Sequence, residues 1–441
     1  MRRKRLELRF QTWTDKMIIK NAEIYCSDHC FHPGDLMIQD DRIVRNTAEE
    51  ALKDAGNYIS LHEENPRSLL LSGEEVLDAS GLLALPGLVD IHFHGAAGHD
   101  LCDGNSEGLA AIARYEAEHG ITAICPATMT LPEEKLNTAM DNAAAFRYSA
   151  EVRRKTDTSS GPSHQPPLDG KAAGPAPIAD LVGINLEGPF ISPKKPGAQD
   201  PGYIIPADSA MFRRLQARCG DIIRIVCVAP EEPGNLEFIQ ETGDTVRISL
   251  AHTAADYDCA REAFSAGAKQ MTHLYNAMPG ISHRAPGPVI AALESGADVE
   301  LIADGVHIHP AVVRFTFNIF GPEHVILISD SMEATGLPDG EYRLGGQNVT
   351  VSGNLAVLTD HPDTIAGSVT NLYDCMKNAV LEMGVPLEVA VRAASENPAH
   401  AIGIGRDYGS LVPGHLARIL LTAPDLRLVS VIIGGRSFRR K

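Results

Sequence analysis

The sequence predicts an α/β protein, a (β/α)8 TIM-like barrel joined to a small β-sandwich domain built from both chain ends. Three observations predict it. Eight apolar strand-like runs recur through the middle of the chain, each followed by a helical stretch such as SEGLAAIARYEAEHG, and repeated βα units imply a parallel sheet. The segment before them is rich in short β-type runs broken by Gly, Asn and Asp turns. The last segment, GSLVPGHLARILLTAPDLRLVSVIIGGRSF, returns to strands and turns, and domain termini often lie close together. At 441 residues the chain has room for one barrel-sized domain and a smaller companion.

Residues 1–16 (MRRKRLELRFQTWTDK) are basic without the apolar centre of a secretory signal, and read as a dispensable extension. The small β domain spans 17–85 together with 406–441, and the barrel 86–405. Near the start, Cys26, His29, Cys30 and His32 crowd into CSDHCFH, which suggests a soft metal cluster. Their spacing lacks the two separated ligand halves of a zinc finger, and MIIKNAEIY and DLMIQDDRI flank them as strands, so a polar hairpin tip is the better reading. The barrel strands are, in order, LVDIHFH, ITAICPAT, LVGINLE, IIRIVCVA, VRISLAH, QMTHLYN, VELIADG and VILISDS. Residues 151–177, rich in Ser, Gly, Pro and charge, predict a flexible surface excursion. After the eighth strand, GEYRLGGQNVTVSGNLAVLTD predicts a β-excursion, followed by helices around NLYDCMKNAVLEM and PLEVAVRAASENPAHAI.

Composition narrows function. The 44% hydrophobic and 22% charged fractions describe neither a disordered chain nor a membrane protein, and no apolar run approaches the length of a bilayer span. A formal charge of −18 repels nucleic acid and anionic lipid, so an anionic substrate requires a local basic pocket. Eight cysteines scattered without a dense framework fit reduced thiols in a cytoplasmic setting.

His92 and His94 end the first barrel strand, where period-two alternation turns both imidazoles to one side. Such a pair serves as metal ligands or simply packs. Glu187, His252, His273 and Asp330 stand at four further strand ends, the end at which barrel active sites form. Taken singly, Glu187 reads equally as a cap or salt-bridged acid, His252 and His273 as hydrogen-bonded core histidines, and Asp330 as a helix cap before Ser331. Their shared position at the strand ends favours one convergent site of imidazole and carboxylate, the donors suited to zinc or iron.

PGLVDIHFHG resembles the opening of the amidohydrolase superfamily. NLEGPFISPKKPGAQ, AHT, THLYNAMPG, IADGVHIHP, ISDSMEATG and IAGS resemble the N-acetylglucosamine-6-phosphate deacetylase family. The resemblance runs from about Met17 to the C-terminus and is more specific than a lone HxH. Superfamily relatives that hydrolyse rings or ureas commonly bridge metals with a carboxylated lysine, whereas Glu187 occupies that place here. It implies a main metal held by Glu187, His252 and His273, and a second held by His92 and His94 with Glu187 and Asp330: one or two divalent ions per subunit.

The implied reaction is hydrolysis of the acetamido group of N-acetyl-D-glucosamine 6-phosphate. An amide is a poor electrophile with a poor leaving group, and a bound divalent metal both lowers the pKa of water to about 7 and polarises the carbonyl. Asp330 is the expected general base and acid. The resemblance also favours His307 over the neighbouring His309 as donor to the carbonyl or a sugar hydroxyl, and makes Ala198, Ile365, Ala366 and Gly367 line the substrate. Asn276 and Ala277 offer backbone donors to the phosphate, and Arg284 a guanidinium that grips it. The family usually reads arginine-glutamate-proline-glycine where this chain has Arg284-Ala285-Pro286-Gly287, and its arginine reaches across a dimer interface, which implies a homodimer. Two other functions fit the same residues: deacetylation of the galactosamine epimer, and a catalytically silent oligomer of the same fold.

Overall fold

The computed structural model describes residues 16–56, 75–157 and 177–439. Strands such as Ile121–Ile124 and Val325–Ile328 are buried at every position, as continuous apolar runs must be when a parallel sheet is covered on both faces. A three-stranded parallel sheet orders Asp180–Leu181, Ile121–Ile124 and Leu88–Asp90. A six-stranded parallel sheet runs Ile184–Leu186, Ile223–Val228, Arg247–Leu250, Gln270–Met271, Asp298–Ile302 and Val325–Ile328. The two arcs meet at both seams. At one, Asn185 N–H donates to Pro126 O at 3.0 Å and Thr128 N–H to Asn185 O at 2.9 Å. At the other, Asp330 N–H donates to His92 O at 3.0 Å and His94 N–H to Ser331 O at 2.7 Å. The second seam is made of site residues.

Helices follow the strands in the predicted alternation: Ser106–Glu118, Glu133–Asp157, Ser209–Arg218, Asn235–Thr242, Tyr257–Ala266, Gly287–Glu294, Pro310–Phe320 and Leu372–Leu381. Several start where a side chain satisfies the exposed amides of the first turn, as Asn105, Asp208, Asp256 and Asn371 do. Their apolar faces join the strands in one large core that includes Phe93, Leu186, Phe190, Leu250, Leu301 and Leu327. Helix Glu133–Asp157 takes in the first residues of the expected 151–177 excursion; residues 158–176, and 1–15 of the expected extension, lie outside the described residues. Before the eighth helix the chain makes a four-stranded antiparallel sheet (Gly340–Leu344, Gln347–Ser352, Leu355–Leu358, His361–Ile365). Leu344, Val349, Val351, Ala356 and Leu358 of this sheet pack on Met129 and Met332.

Both chain ends share one eight-stranded sheet, in which Leu83–Pro86 pairs antiparallel with Arg418–Thr422 and parallel with Lys16–Tyr25. Among the described residues these strands form one mixed sheet by hydrogen bonding. Helix Thr47–Gly56 packs against its apolar face through Ala48 and Leu52. The tip between Lys16–Tyr25 and Phe31–Gln39 is the polar hairpin expected: His32 pairs with Asp28 at 2.7 Å and His29 with Glu396 at 3.0 Å.

Arg418 ties this sheet to the barrel. Its guanidinium, 4% exposed, reaches Asp180 at 2.8 Å and Asp41 at 2.5 Å. Replacing it leaves the partly exposed Asp180 and Asp41 without their cation, a loss expected to stay below the roughly 3–5 kcal/mol of a fully buried pair. Arg418→Ala is expected to lower the melting temperature and the denaturant midpoint while retaining the barrel's circular dichroism signature. An unchanged midpoint would show that the ion pairs do not hold the two parts together.

Candidate active site

The six residues expected to bind metal converge at the C-terminal mouth. His92 and His94 follow Leu88–Asp90, Glu187 follows Ile184–Leu186, His252 follows Arg247–Leu250, His273 follows Gln270–Met271, and Asp330 follows Val325–Ile328. At three of them the backbone turns left-handed, with φ of 43° at His252, 28° at His273 and 50° at Asp330. Non-glycine residues rarely adopt this region, and such strain persists where surrounding structure over-determines it. Here it ends the strand and swings the side chain over the mouth. Gly188, at φ 80°, is required after Glu187, because a Cβ there would lie 2.0 Å from Thr130 Oγ1.

Glu187 is the centre. Its Oε1 lies 3.2 Å from His252 Nε2, 3.0 Å from His273 Nε2 and 3.3 Å from His92 Nε2. Its Oε2 lies 3.2 Å from His94 Nε2, which is also 3.3 Å from Asp330 Oδ1. Two potential ligand groups therefore share one carboxylate: His92, His94 and Glu187 on one side, and Glu187, His252 and His273 on the other. The donors fit a divalent cation. The Nε2 atoms of His252 and His273 face each other at 3.1 Å, close to the ~3.3 Å between ligand atoms of a tetrahedral site with ~2.0–2.1 Å bonds. Buried His92 Nε2 has no hydrogen-bond partner although carboxylate oxygens surround it.

Electrostatics agree. Burial opposes protonation of His94, but hydrogen bonds to Asp330 and Glu187 raise its pKa to about 10. Burial likewise disfavours charge on His92, yet the charges of Glu187 and Glu300 hold its pKa well above the usual imidazole value. Burial would push Glu187 up, but the His92 charge and hydrogen bonds with His252 and His273 hold it well below the carboxylate range. Asp330 is lowered against its burial by the His94 hydrogen bond and the charges of His92 and His94.

A second layer orients the ligands. Glu300 accepts from His92 Nδ1 at 2.8 Å and is held by Gln270 Nε2 at 2.5 Å. His252 Nδ1 meets Lys195 O at 3.0 Å. Gln199 Nε2 donates to Glu187 Oε2 at 2.8 Å. Such partners fix ring orientation and tautomer. The sequence reading did not name Glu300, Gln199 or Asp304. An acid inside the apolar strand VELIADG and an amide beside Ala198 in PGAQ were the available signals.

The structure separates His307 from His309. His307 Nδ1 pairs with Asp304 Oδ2 at 2.7 Å, and the Asp304 hydrogen bond raises its pKa despite burial. His309 instead caps helix Pro310–Phe320, accepting from Ala311 N–H at 3.1 Å. Gly367 abuts Asp330: a Cβ there would lie 3.0 Å from Asp330 O, to which Ser368 N–H donates at 2.7 Å. Ala366 is buried and Ile365 half-buried beside it. Ala198 is half-buried, its carbonyl accepting from Gln347 Nε2 at 2.5 Å. Ala277 follows Asn276, and its carbonyl accepts from Thr253 N–H at 3.1 Å.

The Asn276 N–H donates to His273 O at 3.0 Å and its Nδ2 to His273 O at 3.2 Å and Leu274 O at 3.3 Å, closing the turn after His273. Arg284 is exposed and makes no ion pair among the described residues. A groove of about 880 Å³ lies at the opposite end of the barrel, lined by Arg224, Arg247, Lys269 and neighbours, and contains none of these residues. The convergent donors, not this groove, stand at the strand ends where barrel active sites form.

Fold and site together define a barrel hydrolase built around a histidine–carboxylate metal centre. Residues 180–437 match the amidohydrolase family model. The chain is 34% identical over 408 residues to an N-acetylglucosamine-6-phosphate deacetylase of Bacillus subtilis, covering 91% of this chain and 96% of that one. It is 32% identical to an N-acetylgalactosamine-6-phosphate deacetylase of Escherichia coli, covering 82% and 89%. A solved N-acetyl-D-glucosamine-6-phosphate deacetylase of Mycobacterium smegmatis superposes with a TM-score of 0.77 at 29% identity, covering 96% and 99%. The chain belongs to the amidohydrolase family, among relatives named as amino-sugar-phosphate deacetylases.

A divalent ion bound here would release the protons whose binding the neighbouring carboxylates favour at His92 and His94. With the His94 pKa raised to about 10 by Asp330 and Glu187, affinity is expected to rise from about pH 6 to about pH 8, roughly tenfold per unit for each proton released. Zinc titration in buffers of different ionisation enthalpy reads both quantities. An affinity independent of pH would exclude protonated imidazoles as the metal-free state.

Proposed function

We propose that this chain hydrolyses the acetamido group of N-acetyl-D-glucosamine 6-phosphate, releasing D-glucosamine 6-phosphate and acetate. The observation that carries the reading is Glu187 shared between two histidine pairs with Asp330 beside one of them. Relatives at 32–34% identity over most of the chain bear that activity in their names, and a substituted form of the Mycobacterium smegmatis enzyme was solved in complex with N-acetyl-D-glucosamine-6-phosphate. Glu187, His252 and His273 would hold one divalent ion, and His92, His94, Glu187 and Asp330 a second, as zinc or iron. A cation there supplies Lewis acidity toward water and the amide carbonyl.

Asp330, ionised because His94 and His92 lower its pKa, takes the proton of the attacking water and delivers it to the departing amine. Asp304 accepts from His307 Nδ1 and raises its pKa against burial, so that in the protonated ring Nε2–H donates to the carbonyl oxygen or a sugar hydroxyl. Ala198, Ile365, Ala366 and Gly367 line the sugar. Asn276, Ala277 and Arg284 meet the phosphate, Arg284 from a partner copy in a homodimer; its exposure without an ion pair supports that arrangement. The catalytic unit is 86–405, buttressed by the chain-end unit of 17–85 with 406–441. Among the described residues no helix is long and apolar enough to cross a membrane. The eight cysteines are unpaired, which supports a reducing, cytoplasmic setting.

The Escherichia coli relative keeps the galactosamine epimer as the second reading. Acetate release from both sugar phosphates separates them: kcat/KM is expected to favour the glucosamine form, and equal or reversed values would overturn the choice. In the same assay Arg284→Ala is expected to damage turnover of the phosphorylated sugar while sparing N-acetylglucosamine. Equal losses on both would remove Arg284 from phosphate recognition. Asp330→Asn is expected to retain metal at the His252–His273 side and lose roughly two to four orders of magnitude in turnover. Near-parental kcat would exclude it as the base.

A further inference from the structure

Oε1 of Glu187 faces His252, His273 and His92 while Oε2 faces His94, yet a carboxylate's terminal torsion is broad and two-fold. Left free, it could turn both oxygens toward the three imidazoles nearest Oε1 and abandon His94. One side chain prevents this. Gln199, 3% exposed, accepts from Thr130 N–H at 2.7 Å through Oε1 and donates from Nε2 to Glu187 Oε2 at 2.8 Å. The contact singles out the oxygen that faces His94. Gln199 is itself held by a loop pinned at several points: its N–H donates to Pro196 O at 2.9 Å, Lys195 O meets His252 Nδ1 at 3.0 Å, and Ala198 O accepts from Gln347 Nε2 at 2.5 Å.

We propose that Gln199 is a positioning residue for the shared carboxylate, locking Glu187 so that Oε2 stays with His94 and the His92–His94 half of the site can hold a second cation. The inference rests on the metal-centre reading above. An amide suits this position for a physical reason. It accepts from a backbone N–H and donates to a carboxylate at once, which an apolar side chain can do for neither. A carboxylate oxygen has two lone-pair directions, so Oε2 takes the Gln199 hydrogen bond and keeps one for a cation. Gln199 therefore couples the loop 195–199 to the occupancy of the His94 side rather than to the His252–His273 side.

The test uses the full-length, metal-stripped chain titrated with zinc against a chromogenic chelator, comparing the parent with Gln199→Met and Gln347→Ala. Methionine keeps the length of the side chain and removes both hydrogen bonds, whereas Gln347→Ala loosens the same loop without touching Glu187. The parent is expected to take up two zinc ions in resolved steps. In Gln199→Met the weaker step falls by about 10–100-fold, the scale of losing a partner that orients a ligand, while the tighter step stays within about threefold. Gln347→Ala leaves both steps at parental values. Parental uptake in Gln199→Met, an equal loss in both steps, or the same loss in Gln347→Ala overturns the proposal, as does a parent that binds a single zinc. A parent that binds none overturns the metal-centre reading itself.

Discussion

A single buried carboxylate, Glu187, organises this molecule. Taking an ionised acid out of water costs several kcal/mol unless charge and hydrogen bonds replace the lost solvent. Here four imidazoles and one amide supply them: His252, His273 and His92 at one oxygen, His94 and Gln199 at the other. Those partners come from different strand ends and from the loop after the third strand, so the barrel must close before the charge is compensated. The seam between its first and last strands is made by His92, His94, Asp330 and Ser331 themselves. Closing the ring and assembling the site are one event.

The left-handed backbone at His252, His273 and Asp330 belongs to the same economy. A residue continuing the strand would point along the barrel or into its packed interior. Breaking the strand at that residue places its side chain over the mouth at the cost of local strain. Neighbouring hydrogen bonds hold each break: Asn276 N–H to His273 O, Thr253 N–H to Ala277 O, Ser368 N–H to Asp330 O. This explains why Asn276 is a structural brace for His273 in this structure. The four-stranded excursion plays a related part, packing on Met129 and Met332 while Gln347 grips the loop that carries Gln199.

Charge distribution follows from the same division of labour. A chain of net charge −18 repels anions at long range, so positive character must be concentrated at the mouth. A divalent cation held by the Glu187 cluster would provide it at the centre. Outside, the exposed Arg284 is free to act on a charge brought from elsewhere.

By itself the sequence determined the order of eight strands and their helices, the convergence of His92, His94, Glu187, His252, His273 and Asp330, and the family to which these motifs belong. Those features are legible because they depend on local periodicity and on residues at strand ends. The tertiary structure decided what depends on contacts between distant segments. It joined the chain ends in one sheet, assigned His309 to a helix cap and His307 to Asp304, closed the turn after His273 with Asn276, and put Gln199 against one particular oxygen of Glu187. A donor's direction is fixed by backbone torsion and by neighbours far away in sequence, and no spacing along the chain encodes it.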